Sequence, residues 1–190
     1  MKQLKRVCVY CGSQAGQAAI YRETAQAVGQ YLAQQGIEVV YGGGSVGLMG
    51  VVASAVLSAG GRILGVIPER LMAREVAYVG VTDMYVTPTM HERKARMMEL
   101  SDAFVALPGG IGTLDELFEI WTWRQLGYHT KPVGLLNVGG YYDGLLAFLD
   151  RAVREGFLTP DCRALLMVER DVVPLLARLA AAVSAEAAAR

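Results

Sequence analysis

The sequence predicts an α/β chain built as a doubly wound, Rossmann-like parallel sheet with helices on both faces. Two observations carry this expectation. Short apolar runs alternate with longer amphipathic stretches along the chain, the pattern of a parallel sheet covered by its crossover helices. Glycine-rich turns follow three of the apolar runs, CGSQAG, GGGSVGLMG and PGGIGT, and folds of this kind bind ligands at the carboxyl ends of the strands. The 190 residues are enough for one sizeable core, and 53% apolar against 19% charged residues suits a compact fold rather than a disordered one. No Ser- or Pro-rich linker and no fixed-period repeat divides the chain, so residues 1–190 read as a single domain.

Element by element, the run RVCVY predicts a first strand over 6–10, and the stretch 18–35 a helix leading to a second strand over 38–41. The glycine-rich turn at 42–50 opens a helix over 48–59, and a third apolar run predicts a strand over 62–67. A short run at 84–86 is a fourth strand, and MHERKARMMEL begins a helix over 90–101. AFVAL is apolar throughout and predicts a buried strand over 103–107. The following helix, 114–126, places Leu114, Leu117, Phe118 and Trp121 at i, i+3, i+4 and i+7, one helix face. Strands over 133–137 and 165–168 alternate with helices over 142–155 and 172–189, and the Ala-rich tail 179–190 is expected to fray.

Lys plus Arg and Asp plus Glu both number 18, so the net charge is zero. That argues against nucleic acid or an anionic membrane as partner but leaves room for a local basic site holding one phosphate. No apolar run approaches the roughly 20 residues of a membrane span, and MKQLKRVCVYCGS enters the first strand without an apolar leader. A cytoplasmic location is expected. Of three cysteines, Cys8 and Cys11 form a C-x-x-C. Only Cys162, His91 and His129 could add to the pair, and none of them lies in a second ligand pair as a structural zinc site would want; Cys8 reads as a buried strand residue and Cys11 as the start of a loop.

Gly109, Gly110 and Gly112 sit between a strand end and a helix start. Glycine lets a ligand approach the backbone closely, and the first N–H groups of a helix carry partial positive charge. Together they make an anion site suited to phosphate, to which the Thr113 hydroxyl can add a bond. A structural alternative stands beside this. Thr113-x-x-Glu116 is also a capping box, with Thr113 as the N-cap and Glu116 reaching back. That pairing accounts for two residues but not for three glycines. GGGSVG matches the dinucleotide G-x-G-x-x-G pattern, with Glu69 at about the distance of a ribose contact. The match lies in the second βα unit, however, with no residues left for a substrate domain; lacking G-K-[ST], the turn is not a P-loop of the NTPase type either. A second glycine lobe beside Gly109–Thr113 fits better.

Thr89-x-x-Glu92 begins another capping box. In the helix that follows, Met90, Arg93 and Met97 share one face, so Arg93 points inward and needs a carboxylate or phosphate partner. Lys94 flanks it, and Arg96 faces solvent. His91 is given no role. Trp121 and Trp123 read as core or subunit-interface aromatics.

Met90-His91-x-Arg93-Lys94 together with Pro108-Gly109-Gly110-x-Gly112-Thr113-x-x-Glu116 resembles the signature pair of the Lonely-guy family, the cytokinin riboside 5′-monophosphate phosphoribohydrolases. CGSQAG, VYGGGSVGLMG, GVIPE, SDAFVALPGGIGTLDE, TWRQLGYHTKPVGLLNVGGYYDGLL and EGF look like the family at matching spacing, so the resemblance runs from about Arg6 to Arg170. It implies a Rossmann-like fold, a homodimer as minimal unit, and hydrolysis of the N-glycosidic bond of a nucleoside 5′-monophosphate, AMP or isopentenyl-AMP for example, to free base and ribose 5-phosphate. The family's catalytic pair falls on Arg93 and Glu116. Its nucleotide-contacting positions fall on Glu75, Lys94 and the turn Gly109, Gly110, Ile111, Gly112, Thr113, Leu114 and Asp115, where Asp115-Glu116 stands in place of a frequent Glu-Glu.

An older label for the family, lysine decarboxylase, would need pyridoxal phosphate on a lysine. The chain has only Lys2, Lys5, Lys94 and Lys131, with Lys94 already assigned. No cofactor and no metal is expected. In the implied mechanism the phosphate sits on Gly109–Thr113, helped by Gly43, Gly44 and Ser13. Glu116 binds the ribose hydroxyls, stabilises oxocarbenium charge or aligns water, and Arg93 orients Glu116 or contacts the nucleotide. The competing class is a non-catalytic nucleotide or molybdenum-cofactor carrier of the same superfamily.

Overall fold

Apolar runs with no polar alternation have no face to turn to water, so they pair in the middle of a sheet. The computed structural model, which describes residues 3–72, 77–78 and 80–188, arranges them in this way. Seven strands form one sheet: β1 (Arg6–Tyr10), β2 (Glu38–Tyr41), β3 (Ile63–Pro68), β4 (Asp83–Thr87), β5 (Ala103–Ala106), β6 (Val133–Leu136) and β7 (Leu166–Glu169). Their order is β4-β3-β2-β1-β5-β6-β7, and every adjacent pair is parallel. β3, β5 and β6 are buried along their whole length, whereas β4 and β7 at the edges are only partly so.

The helices are α1 (Ala19–Gln34), α2 (Gly47–Ser58), α3 (Glu69–Met72), α4 (Met90–Leu100), α5 (Ile111–Gln125), α6 (Asp143–Arg154), α7 (Pro160–Ala164) and α8 (Val172–Ala188), with a 3-10 turn at Val138–Gly140. Val7, Val9 and Cys11 pack with α1, α2 and α8 on one face of the sheet; Cys8 and Tyr10 pack with α4, α5, α6 and α7 on the other. Successive strand residues face opposite ways, so the C-x-x-C pair is split between the two layers and cannot converge on one ion. The chain winds outward from β1 to β4, then returns through α4 to place β5 on the other side of β1. α4 therefore crosses β3, β2 and β1, which carries its inner face beneath their carboxyl ends.

α3, α7 and the 3-10 turn are too short to show a helical period in sequence. α8 continues to Ala188, close to the helix predicted over 172–189, and Leu175, Leu176, Leu179 and Val183 are buried on one stripe. This apolar spacing anchors the Ala-rich segment. Leu179→Ala is expected to destabilise the fold by about 2–5 kcal/mol, read as a lowered urea midpoint; an unchanged midpoint would mean that the α8 tail does not pack. Among the described residues, no helix is long and apolar enough to cross a membrane.

Candidate active site

The winding reverses between β1 and β5, so the chain leaves these neighbours toward opposite helical layers. Such a reversal opens a crevice at the carboxyl edge of the sheet. The turns after β1 and β5 line it and are fastened together: Gly12 N–H donates to the Pro108 carbonyl at 3.1 Å, and Leu107 N–H to the Tyr10 carbonyl at 2.8 Å. A Cβ on Gly12 would lie 2.7 Å from the Gln14 carbonyl and 3.3 Å from the Gly109 Cα, so this close approach requires glycine. Ser13 is exposed and, with Tyr21, Leu48, Gly109 and Tyr141, lines a cavity of about 210 Å³.

The turn after β2 lies close by, because its Gly47 comes against the Ser13 backbone. Gly43, at φ +80, accepts from Tyr78 N–H at 3.0 Å, and Gly44 bridges Ala77. Both glycines are buried, held by the 77–78 segment. Glu75 lies outside the described residues.

The capping box at Thr113 is corrected by the structure. α5 starts at Ile111, earlier than the apolar spacing alone indicates, and its N-cap is Gly110, with no side-chain bond. Gly110 is extended there, at φ −94 and ψ −153, so a residue without a capping side chain starts the helix. Thr113 thus lies inside the first turn, packed against Gly109, and Glu116 lies deeper; both are buried. The first intrahelical bond runs from Leu114 N–H to the Gly110 carbonyl at 3.1 Å, which leaves the N–H groups of Ile111, Gly112 and Thr113 ahead of the ladder. A Cβ on Gly110 or Gly112 would meet nothing within 4 Å, and Ile111 is 88% exposed. Among the described residues no packing demands these two glycines, and the space before them is open to a ligand. Leu114 is not brought to this space by its side chain, which packs on the α5 core layer.

Glu116 instead meets Arg93. Nη1 of Arg93 lies 3.0 Å from Oε1 of Glu116, with the side chains only 6% and 9% exposed. Thr89 caps α4 as expected, accepting from Glu92 N–H at 3.2 Å. Arg93, one turn on, faces inward with Met97, while Met90 is exposed at the start of the helix, unlike its place on the shared face would suggest. Arg93 also donates from Nε to the Val66 carbonyl at 3.0 Å and from Nη2 to the Gly42 carbonyl at 3.5 Å. The guanidinium fork therefore ties the ends of β2 and β3 to α5. Around the pair, burial, followed by the Glu116 charge, pushes the Cys11 thiol well above its ordinary range. Burial likewise raises Cys8 and Tyr10. Neither cysteine is set up as a thiolate nucleophile.

Lys94 and Asp115 are brought together, with Nζ to Oδ2 at 3.2 Å, and Lys94 also pairs with Glu119. Burial works against the Lys94 charge, but the Glu119 and Asp115 carboxylates outweigh it and hold the ammonium above its ordinary value. Asp115, Glu116 and Glu119 face two cations, so the first turns of α5 are acidic beneath their open N–H groups. Glu119 was not singled out in the sequence, although its i+4 spacing from Asp115 on a helix would have found it. Tyr141 was not singled out either; the signal was the Gly139-Gly140 pair, another glycine turn after a strand.

The chain matches a family model described as possible lysine decarboxylase over residues 49–179. It is 52% identical over 174 residues to the probable cytokinin riboside 5′-monophosphate phosphoribohydrolase LOGL1 of Oryza sativa subsp. japonica, covering 92% of this chain and 78% of that protein. It is 49% identical over 177 residues to the cytokinin riboside 5′-monophosphate phosphoribohydrolase LOG1 of Arabidopsis thaliana, covering 93% and 83%. Among solved structures, the Moco carrier protein of Chlamydomonas reinhardtii superposes with a TM-score of 0.71 at 22% identity, covering 96% of this chain and 99% of that one. That likeness is one of fold.

Proposed function

We infer the activity of this chain from one premise: it belongs to the cytokinin riboside 5′-monophosphate phosphoribohydrolase family. It is an enzyme that hydrolyses the N-glycosidic bond of nucleoside 5′-monophosphates such as AMP or isopentenyl-AMP, releasing the free base and ribose 5-phosphate. The alternative of a molybdenum-cofactor carrier is the weaker one, since identity is 22% to the carrier and 49–52% to the hydrolases.

The observation that carries the site is the position of Glu116, buried against Arg93 in the second turn of a helix whose start has no side-chain cap. In our reading the 5′-phosphate binds the open N–H groups of α5 and the Thr113 hydroxyl, where the helix dipole favours an anion. Ser13 and the Gly43–Gly44 turn border it. The ribose then lies over the first turn, toward Glu116. As the C1′–N bond breaks, its electrons leave with the base and positive charge develops on the ribose. The acidic surroundings suit that charge; Glu116 accepts the proton of the water that adds to C1′, and that proton passes to the departing base, which leaves neutral and restores the carboxylate. Arg93 compensates and aims the carboxylate. Lys94 and Asp115, paired with each other, border the nucleotide, and Glu75 belongs to the same contact set. The reading takes the chain as one domain, acting as a cytoplasmic homodimer without cofactor or metal.

The test is incubation of the protein with a panel of nucleoside 5′-monophosphates and the matching nucleosides. Free base and ribose 5-phosphate are expected in equal amounts from the monophosphates. At equal concentration the nucleosides should turn over far more slowly, because they lack the phosphate contacts that bind substrate to the site. Equal rates with and without the phosphate would remove the anion site from the mechanism.

A further inference from the structure

Consecutive tyrosines reach from one turn to the next at the carboxyl edge of the sheet. Gly139 and Gly140 are both left-handed, at φ 57 and 74, and reverse the chain after β6. Asn137 fixes the reversal, accepting from Tyr142 N–H at 2.8 Å and donating to Asp143 at 2.7 Å. Both rings thereby return to the end of β5. The Tyr142 hydroxyl donates to the Leu107 carbonyl at 2.7 Å, and the Tyr141 hydroxyl to the Gly109 carbonyl at 2.7 Å. With Gly12 N–H on the Pro108 carbonyl, three successive carbonyls of the glycine turn are held from outside it.

The bond at Gly109 has a consequence one atom further on. In a trans peptide the C=O of one residue and the N–H of the next point in opposite directions. Tying the Gly109 carbonyl to Tyr141 turns the Gly110 N–H to the opposite side of the turn and sets the start of α5. Tyr141 itself is held by edge-on contacts with Tyr21, at 5.5 Å, and Tyr142, at 4.8 Å between centroids. Tyr142 is buried at 3%, whereas Tyr141 is 44% exposed and lines the cavity beside Gly109.

We propose that Tyr141 is a positioning residue for phosphate recognition: its hydroxyl orients the Gly109–Gly110 peptide so that the N–H groups at the start of α5 converge on the 5′-phosphate. This rests on the reading of the site given above. The phosphate does not change during the reaction, so its contacts hold substrate and transition state equally. Tyr141 therefore acts on KM and not on kcat.

The experiment compares the wild-type protein with Tyr141→Phe, which keeps the ring and removes only the hydroxyl. KM for AMP should rise about three- to tenfold, the effect of one hydrogen bond, with kcat and the thermal midpoint unchanged. Inhibition by ribose 5-phosphate should weaken by the same factor, and inhibition by adenine should not change. Unchanged KM and ribose 5-phosphate inhibition would overturn the proposal. So would a parallel weakening of both ligands with a fall in the thermal midpoint, which marks a merely structural residue. If the wild-type protein releases no adenine from AMP, the hydrolase reading fails instead. Calorimetric binding of ribose 5-phosphate to the two proteins then still decides the role of Tyr141 by the same factor.

Discussion

Replacing Glu116 by Gln is expected to lower kcat for AMP by about 10²–10⁴, the range that general acid–base help contributes, while AMP binding persists. The substitution keeps size and shape and removes the charge and the proton acceptor. The carboxylate is not a helix cap, since Gly110 starts α5 and Glu116 lies in its second turn. No cap is lost in the variant. Its partner Arg93 retains the carbonyls of Val66 and Gly42, so the guanidinium stays anchored. Steady-state kinetics with calorimetry on the same preparation checks both halves. Loss of binding together with turnover would assign Glu116 to the ground state rather than the reaction.

Arg93→Met is expected to abolish most turnover and also to destabilise the fold by about 3–5 kcal/mol, because it leaves a buried carboxylate without its compensating charge. Both partners are less than a tenth exposed, so solvent screens little of this. The two effects separate in a double variant. Arg93→Met with Glu116→Leu removes the orphaned charge along with the pair and should recover much of the urea midpoint, since apolar replacement of a buried ion pair is often neutral. It should recover no activity. A single Arg93→Met variant as stable as wild type would contradict the pairing, and an active double variant would remove both residues from the chemistry.

The sheet was legible because most of its strands are short apolar runs, and observed strands start and end within about a residue of those runs. The inward turn of Arg93 was legible for a related reason: its spacing from Met97 places a charge on the buried stripe of α4. The start of α5 was less so. Thr113 and Glu116 have the residue types and spacing of a capping box, yet Gly110 takes the capping conformation from the turn before it. A backbone-only cap leaves no mark in side-chain chemistry. The packing of α8 was less legible, because alanine dilutes the stripe formed by Leu175, Leu176, Leu179 and Val183. Glu119 and Tyr141 act on groups already identified, Lys94 and Gly109. Contacts of that kind join α4 to α5 and the turn after β6 to the turn after β5, and they depend on tertiary proximity.

In the proposed reaction Glu116, held by Arg93 below the open start of α5, carries out the cleavage and does not merely hold the nucleotide. The most direct measurement incubates wild type and Glu116→Gln with AMP and quantifies adenine and ribose 5-phosphate while AMP binding is followed by calorimetry. Equal amounts of the two products are expected from the wild-type protein, and from the variant almost none despite measurable binding. Adenine release by the variant at the wild-type rate, or a wild-type protein that binds AMP and returns it intact, would contradict the proposed reaction.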